Sequence, residues 1–254
     1  MSAVRYGVPR LFVAEGLAPG APVELAEAAA HHAAHVLRLR EGEAVVLFDG
    51  KGGEWPARIA SVAKRTVHVA LGAHDPIERE SPLPVTLVQA LSSADRMDYT
   101  VQKAVELGVT AIEVVVAEKS VARLSGERAL QRAEHWRRIA LAACEQCGRN
   151  RIPSIAAPVA FASWLRAGRR EAVKLLASPG ATRALSTALA ERVAPASAGV
   201  LVAVGPEAGF SAREEAAMDA AGFVRVHLGP RVLRTETVAP AILAALNALA
   251  GDWR

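Results

Sequence analysis

The feature that most constrains the fold is a regular alternation of apolar runs and helical segments beyond residue 84. The runs PVTLVQAL, IEVVVAE, AVKLLASPG, GVLVAVGPEAG and FVRVHLGPR are apolar along most of their length. Such strands are typical of parallel sheets that helices cover on both faces. Helices are predicted over DRMDYTVQKAVELGV, from Ser125 to Gly148, and over a closing segment, Val238–Ala250. We therefore predict an α/β domain with a parallel sheet over residues 85–254.

The first 72 residues have a different sequence pattern. Short runs that alternate apolar and polar residues, or that are rich in β-branched residues, are separated by turn-forming residues. The runs RLFVAE, AVVLFDG, EWPARIASV and TVHVALG predict strands. One helical segment, LAEAAAHHAAHVLRLREGE, interrupts them and is predicted to end at Gly42. A small β-barrel with one helix is the natural closure for these short strands, and we predict it over residues 1–72. The polar stretch HDPIERESPLP lies in the predicted linker, residues 73–84.

Composition excludes several classes of protein. A chain of 254 residues that is 52% hydrophobic and 4% aromatic predicts a folded core rather than disorder. No apolar run approaches the roughly 18 residues of a membrane span. The start MSAVRYGVPRLFV has no signal segment, so we expect a cytoplasmic protein. No metal is expected, because the cysteines and histidines lack metal-ligand spacing; these residues are Cys144, Cys147, His31, His32, His35 and His68.

Positive charge is concentrated in one part of the chain. The net charge of the whole chain is +4, whereas the segment from Lys119 to Arg151 holds eight Lys and Arg against three Glu. A concentrated basic segment is suited to phosphate binding. A solvated helix face has the same composition, and the residues alone leave both interpretations open.

Three predicted strands end in similar sequences: Ala177-Ser178-Pro179-Gly180, Gly205-Pro206-Glu207 and Leu228-Gly229-Pro230. In open parallel sheets, ligands bind beyond the carboxyl ends of the strands. Glycine allows a ligand to approach the main chain, and proline fixes the turn. The three ends together predict a shared pocket that suits an adenine and a ribose. ATP and NAD are disfavoured, since the chain has no GxxxxGK[ST] loop and its GKGG at Gly50 follows the wrong architecture.

Four blocks of the chain resemble the ribosomal RNA small-subunit methyltransferase E family: SSADRMDYTVQKAVELGV, ACEQCGRNRIP, VGPEAGFS and LGPRVLRTET. With the PRLFV start and the RESPLP linker, the resemblance extends along essentially the whole chain. It implies an N-terminal PUA-like barrel and a C-terminal SPOUT methyltransferase domain with a deep trefoil knot. It also implies a homodimer that methylates N3 of a uridine in the decoding region of 16S rRNA, in the small ribosomal subunit. The methyl donor that it implies is S-adenosyl-L-methionine.

The resemblance makes the three strand ends the loops that hold the methyl donor. The donor-binding residues are then Ala177, Ser178, Pro179, Val204, Gly205, Pro206, Leu228, Gly229, Val232, Leu233 and Thr237. Uridine N3 carries a proton, so the reaction needs a proton acceptor and a cation that stabilises the uridine anion. We predict Arg234 as that cation, Glu207 or a water as the acceptor, and Arg231 as a third catalytic residue beside them.

The same residues have structural explanations. Thr235 or Thr237 can cap the closing helix, in which Pro240 is expected to fall in the first turn, and Glu207 can cap the helix that follows it. Capping does not explain the two arginines, because cations are disfavoured at a helix N-terminus.

RNA contacts are predicted in both parts of the chain. They are Arg5, Arg10, Arg123, Arg149, Asn150 and Arg151. A competing mechanism, in which a cysteine adds to the uridine ring, would use Cys144 or Cys147. Both lie in the apolar-rich stretch RIALAACEQCG, where a cysteine is usually a small buried hydrophobe.

The chain departs from the family pattern at a few positions. Ala208 replaces a common glycine, and it either has a negative φ or crowds the donor. Ala94, Val238 and Pro240 are further departures. Two other functions stay open, a related SPOUT transfer RNA methyltransferase and a non-catalytic RNA-binding or ribosome-assembly protein. Binding of S-adenosyl-L-methionine distinguishes an enzyme from the latter.

Overall fold

The computed structural model describes residues 7–18, 20, 22–63, 66–168, 171, 173–191 and 199–253. The chain forms two compact units. Unit 1 is Met1–Glu80 with Leu141–Ile152, and unit 2 is Ser81–Ala140 with Pro153–Arg254. The predicted linker, residues 73–84, is therefore shared between the units, and a segment of the predicted C-terminal domain belongs to unit 1.

Unit 1 contains a five-stranded sheet within the described ranges. Its strands are β1 (Arg10–Phe12), β2 (Pro22–Glu24), β3 (Ala44–Phe48), β4 (Trp55–Val62) and β5 (Val67–Leu71), in the order β1-β3-β4-β5-β2. β1 is parallel to β3, and the other neighbours are antiparallel. In β4 the alternate residues Trp55, Ala57 and Ile59 are buried, as expected of a strand with one face on a core. The four predicted strands are present, and β2 is an addition of three residues.

The helix of unit 1 is shorter than predicted. α1 spans Glu27–His31 and continues as a π-helical turn over His32–Val36. This π-helical turn ends at Val36, with Leu37 as its C-cap, and not at the predicted Gly42. The residue after Leu37, Arg38, has φ of 55°, in the left-handed region that a right-handed helix does not include.

Unit 2 contains the predicted parallel sheet. Its strands are β6 (Val85–Ala90), β7 (Ala111–Val116), β8 (Ser154–Ile155), β9 (Val159–Ala160), β10 (Val173–Ala177), β11 (Val200–Val204) and β12 (Val224–Val226). They lie in the order β12-β10-β11-β6-β7-β8, with β9 also beside β7, and every pairing described is parallel. All five residues of β11 are buried, which explains its continuous apolar sequence. The α/β class with a parallel sheet is confirmed.

The helices after unit 1's first segment are α2 (Ala94–Glu106), α3 (Gly126–Cys147), α4 (Phe161–Arg166), α5 (Leu185–Ala190), α6 (Ala212–Ala220) and α7 (Thr235–Ala250). α3 begins in unit 2, and its last residues belong to unit 1. α7 begins three residues before the predicted Val238, so Pro240 is its sixth residue and lies beyond the first turn, which corrects its predicted position. Among the described helices, none has both the length and the apolar character needed to cross a membrane.

Candidate functional site

The carboxyl ends of β10, β11 and β12 lie side by side. β10 is between the other two strands, and its last residue, Ala177, is level with both Val204 and Val226. The Ser178 N–H donates to the Val226 carbonyl at 3.0 Å, which ties the first loop to the neighbouring strand. The three loops therefore start from one edge of the sheet, the edge at which parallel sheets bind ligands.

A cavity of about 410 Å³ lies at this edge. Ten of the eleven residues predicted to bind the donor line it: Ala177, Ser178, Pro179, Val204, Gly205, Pro206, Leu228, Gly229, Val232 and Leu233. The eleventh, Thr237, is exposed on the first turn of α7 and does not line the cavity, so a contact between Thr237 and the donor stays a prediction. The three predicted catalytic residues, Arg231, Arg234 and Glu207, all line it.

The loop after β11 leaves little space for a side chain at its first residue, Gly205. A Cβ added to Gly205 would lie 3.0 Å from the nitrogen of Phe210 and 3.1 Å from Cα of Gly209. Gly209 itself has φ of 69°. Ala208 does not have a positive φ, since Arg38 is the only non-glycine residue with one in the described ranges. Ala208 is exposed and does not line the cavity, which favours the alternative in which its methyl group fits over the one in which it crowds the donor.

A buried hydrogen-bond network joins the start of α7 to the sheet. The hydroxyl of Thr235 donates to the Gly205 carbonyl at 2.7 Å and accepts from Nε2 of Gln89 at 3.0 Å. Gln89 and Thr235 are both buried. The N-cap of α7 is Arg234, and no side chain caps the helix there, so the prediction that Thr235 or Thr237 caps it is wrong. The role of Gln89 was missed, because its partner lies 146 residues away.

Two arginines at the cavity have no partner for their charge among the residues that the structure describes. Arg231 and Arg234 are exposed, and within the described ranges neither side chain forms a hydrogen bond or an ion pair. At the N-cap of α7, the helix dipole disfavours the positive charge of Arg234. Both guanidinium groups are therefore available to a ligand that carries or develops negative charge.

Glu207 is held at the edge of the cavity by two donors. It accepts from the Ser93 N–H at 3.1 Å and pairs with Arg96 at 2.8 Å. Burial acts to raise the pKa of Glu207, but hydrogen bonds from its own amide, the Ser93 amide and Arg96 outweigh burial and lower the pKa. The carboxylate is therefore ionised and is a weaker proton acceptor than an ordinary glutamate. Ser211 caps α6 by accepting from the Glu214 N–H at 3.2 Å, so the interpretation of Glu207 as that cap is wrong.

Arg96 is a cavity residue that the sequence did not reveal. It lies in the first turn of α2, and its guanidinium is 2.8 Å from Glu207 and 3.5 Å from Glu236. Its DRMD segment belongs to a block that carried the family resemblance. No local pattern indicates its partners, because both lie more than 100 positions further along the chain.

Three of the predicted RNA contacts are buried inside unit 1. Arg10 pairs with Glu54 at 2.5 Å and donates to Oδ1 of Asn150 at 2.5 Å, while Arg149 pairs with Glu80. Arg10, Arg149 and Asn150 are exposed by 8, 4 and 0%. A phosphate contact requires an accessible donor, so these three predictions are corrected. Their hydrogen bonds join the two chain segments of unit 1.

The other three predicted RNA contacts are Arg151 and Arg123, which are accessible, and Arg5, which the structure does not describe. Arg151 pairs with Glu78 at 2.8 Å and keeps 53% of its side chain exposed. Arg123 is exposed, and no described residue pairs with it. Arg5 lies outside the described residues. Arg123 and Arg151 remain predictions, so the basic segment combines buried ion pairs with accessible charge.

The cysteines do not line the cavity. Cys144 is buried, and its Sγ donates to the Arg151 carbonyl at 3.7 Å. Burial raises the pKa of the Cys144 thiol to about 12, which disfavours the thiolate that a nucleophile needs. Both observations favour the interpretation of Cys144 as a small buried hydrophobe. In the described part of the chain, no group of three or more His, Cys, Asp and Glu residues is arranged to hold a metal ion.

Known proteins are similar to this chain along almost its full length. Residues 79–247 match the family model described as an RNA methyltransferase domain, and residues 25–71 match the RNA methyltransferase PUA domain. The "Ribosomal RNA small subunit methyltransferase E" of Synechocystis sp. is 33% identical over 94% of this chain and 77% of its own.

Solved structures are similar as well. The ribosomal RNA small subunit methyltransferase E of Neisseria gonorrhoeae bound to S-adenosyl methionine is 38% identical, with a TM-score of 0.88 over 97% of this chain and 100% of that one. A putative methyltransferase of Legionella pneumophila with bound SAM is 36% identical, with a TM-score of 0.90 over 96% of this chain and 99% of that one.

Proposed function

The chain belongs to the ribosomal RNA small subunit methyltransferase E family, and we propose that it methylates N3 of a uridine in the decoding region of 16S rRNA. The proposed methyl donor is S-adenosyl-L-methionine, the molecule bound in the two similar structures. The observation that carries the proposal is the cavity at the carboxyl edge of the parallel sheet. It combines a lining that includes the Gly-Pro strand ends with two arginines that have no partner in the described part of the chain, and a methyl transfer to an anionic base needs both a donor site and positive charge.

The cavity fits the proposed donor in size and chemistry. Its volume of about 410 Å³ lies within the range of about 300–1,000 Å³ that encloses ligands of this size. Val204, Leu228 and Leu233 offer apolar surface to an adenine. The missing Cβ of Gly205 lets the loop after β11 fold closely onto its own main chain at Gly209 and Phe210, beside the cavity. When bound, the donor supplies a methyl group made electrophilic by a sulfonium sulfur.

The residues at the cavity have to make uridine N3 a nucleophile. As N3 loses its proton, negative charge develops on the base, and the unpaired guanidinium of Arg234 stabilises it, with Arg231 beside it. The lowered pKa of Glu207 makes a water held near this carboxylate the better proton acceptor. Alignment of the base within the cavity supplies the rest, on the order of 7–11 kcal/mol in well-oriented reactions.

Exposed cations outside the cavity contact the RNA in this proposal. Arg123 and Arg151 are accessible, and a contact with phosphate requires only charge and reach. The proposed substrate is 16S rRNA, within the small ribosomal subunit, and the proposed place of action is the cytoplasm.

The proposal also includes the trefoil knot and the homodimer of the SPOUT methyltransferases. The loops after β10, β11 and β12 are the segments that would form the knot. The dimer would use α7, where Leu249 is 46% exposed on an otherwise largely apolar helix. Sedimentation at micromolar concentration tests the dimer, and monomeric behaviour there would contradict it.

The decisive experiment maps modified nucleosides in 16S rRNA by mass spectrometry. A strain from which the gene is deleted should lack one N3-methyluridine, and the wild-type gene should restore it. Calorimetry with S-adenosyl-L-methionine should show binding to the purified protein. A deletion strain with unchanged 16S rRNA and an altered transfer RNA would overturn the choice of substrate, and a protein that does not bind the donor would overturn the enzyme itself.

A further inference from the structure

Arg96 connects three segments of the cavity that are remote in the sequence. It lies in the first turn of α2, Glu207 lies in the loop after β11, and Glu236 lies in the first turn of α7. Its guanidinium reaches both carboxylates, at 2.8 Å and 3.5 Å. The three side chains are exposed by 33%, 22% and 19%, so their attraction is screened less than that of a surface pair.

Each carboxylate depends on Arg96 in its own way. Glu207 also accepts from the Ser93 N–H, so it joins the loop after β11 to the start of α2 through two donors. Oε2 of Glu236 is buried and has no hydrogen-bond partner within the described ranges. Its charge is balanced by the Nε atom of Arg96 at 3.5 Å. Loss of Arg96 would leave two partly buried carboxylates around a position that no longer carries positive charge.

The first turn of α7 transmits this arrangement to Arg234. The N–H groups of Thr237 and Val238 both donate to the Arg234 carbonyl, at 2.8 Å and 3.0 Å. Glu236 lies within that turn, and Arg234 is its N-cap. On the other side, Thr235 is anchored to the sheet through Gly205 and Gln89. The turn that presents Arg234 to the cavity is thus held at two points, a buried hydroxyl and the pair with Arg96.

We propose that Arg96 is a positioning residue for methyl transfer, which acts through Glu207 and Glu236 to fix the loop after β11 and the N-cap of α7 relative to each other. The inference rests on the proposed function, because it assigns Arg234 to the reacting uridine. In this proposal Arg96 acts on the base only through the position of Arg234. Its effect is on the step after binding, when the anion forms beside Arg234.

The first test measures single-turnover methylation of small-subunit RNA with saturating donor and RNA. Arg96→Ala should lower the rate by about 10²-fold, the scale on which a misplacement of about 1 Å reduces turnover. The dissociation constant of S-adenosyl-L-methionine should change by less than about threefold, because the effect belongs to the step after binding. Arg96→Lys can pair with one carboxylate but not both, so it should recover about tenfold of the loss. The matched control is Arg213→Ala on α6, an exposed arginine that no described residue pairs with, and it should leave the rate unchanged.

A double variant tests the route through Glu236. If Arg96 acts through this carboxylate, Arg96→Ala with Glu236→Gln should lose no more activity than Arg96→Ala alone, because coupled residues are non-additive. Losses that multiply would overturn that route. A wild-type rate in folded Arg96→Ala would overturn the proposal, and so would a loss of donor binding that matches the loss of rate.

Hydrogen exchange separates this proposal from the proposed function. In Arg96→Ala, the amides of Thr237 and Val238 should exchange faster than in the wild type, with no RNA present. If the amides exchange faster in Arg96→Ala but the wild-type protein does not methylate the uridine, the proposed function is refuted and the positioning role of Arg96 is retained. If the wild type methylates the uridine and Arg96→Ala changes neither the exchange nor the rate, the positioning role of Arg96 is refuted and the proposed function is retained.

Discussion

Unit 1 and the cavity of unit 2 both contain clusters of arginine and glutamate, but the two clusters are completed differently. In unit 1, Glu54 pairs with Arg10 at 2.5 Å and with Arg79 at 2.8 Å, and all three side chains are largely buried. In unit 2, Arg96 engages the two nearby carboxylates, and Arg231 and Arg234 have no partner in the described ranges. The first cluster is neutralised inside the protein, and the second keeps positive charge for a ligand.

The difference shows that burial and partners, more than residue type, decide what an arginine does. Hydrogen bonds from Arg79 and Arg10 outweigh the effect of burial, which acts to raise the pKa of Glu54, and they lower that pKa to about 2. The carboxylate is therefore a fixed part of the structure of unit 1. At the cavity of unit 2, the guanidinium of Arg234 lies at the N-cap of α7, where the helix dipole disfavours positive charge and a bound anion would offset that cost.

The largest expected effect comes from Glu54→Gln, which keeps the shape of the side chain and removes its charge. The guanidinium groups of Arg10 and Arg79 would then be buried without a counter-charge. Breaking a buried ion pair in this way costs about 3–5 kcal/mol. Chemical denaturation should report a loss of this size, whereas Glu78→Gln, at the exposed pair with Arg151, should cost no more than about 1 kcal/mol. Equal losses in the two variants would remove the distinction between the clusters.

Lowering the pH should destabilise the protein through the same carboxylate, that of Glu54. The pKa of Glu54 is lowered from 4.5 to about 2 on folding, so its stabilising contribution is complete above pH 4.5 and is lost as the pH falls towards 2. A shift of this size corresponds to about 3 kcal/mol. Below pH 4.5 the free energy of unfolding of the wild type should fall more steeply than that of Glu54→Gln, and parallel pH profiles would contradict this origin.

The next effect is on turnover and not on folding. Arg234→Ala should lower single-turnover methylation by about 10²–10³, the usual scale for one preorganised electrostatic contact. Its thermal stability should be unchanged or slightly higher, since a cation at a helix N-terminus is unfavourable by about 0.3–1 kcal/mol. Donor binding should persist. A folded variant with wild-type turnover would remove Arg234 from the mechanism, and a strongly lowered melting temperature would give it the structural role found for Arg10.

The smallest effect separates two arginines that are two positions apart. Arg151→Ala should weaken RNA binding and lower the salt dependence of the association constant by about one unit of slope. Arg149→Ala should instead lower the melting temperature and leave the slope of the folded protein unchanged, because its guanidinium is buried against Glu80. Filter binding over a series of salt concentrations measures the slope. A reduced slope in Arg149→Ala would restore the original prediction for that residue.

These arginines also show which features of the structure could be predicted from the sequence. The parallel sheet and the three strand ends that line the cavity were predictable, because apolar runs and Gly-Pro turns are local patterns that fold into the elements they indicate. The position of Arg234 beside the cavity followed from its place between the last strand and α7. The burial of Arg10 and Arg149 did not follow, because their partners are remote in the sequence. Glu54 and Asn150 lie 44 and 140 positions from Arg10, and Glu80 lies 69 positions from Arg149.

The same reason accounts for the missed site residues. Gln89 lies in β6 and Arg96 lies in the first turn of α2. Their partners lie in the loop after β11 and in the first turn of α7. Each pairing depends on the order of strands in the sheet, which periodicity does not give. The end of the first helix was mispredicted for a local reason. The chain leaves the helix after Val36, and Arg38 adopts the left-handed region, which is uncommon for a residue with a side chain. Gly42, four positions after Arg38, was therefore the expected end.

The construction of unit 1 from two chain segments decides when it can form during synthesis. All five strands of its described sheet lie before Glu80. The Arg149 carbonyl and the Asn150 side chain, which accept hydrogen bonds from Arg10, are translated only after β6, α2, β7 and α3. Until the ribosome has released the chain as far as Ile152, the guanidinium of Arg10 lacks these acceptors. A gene truncated after Glu80 would therefore encode the strands of unit 1 without the groups that complete its interior.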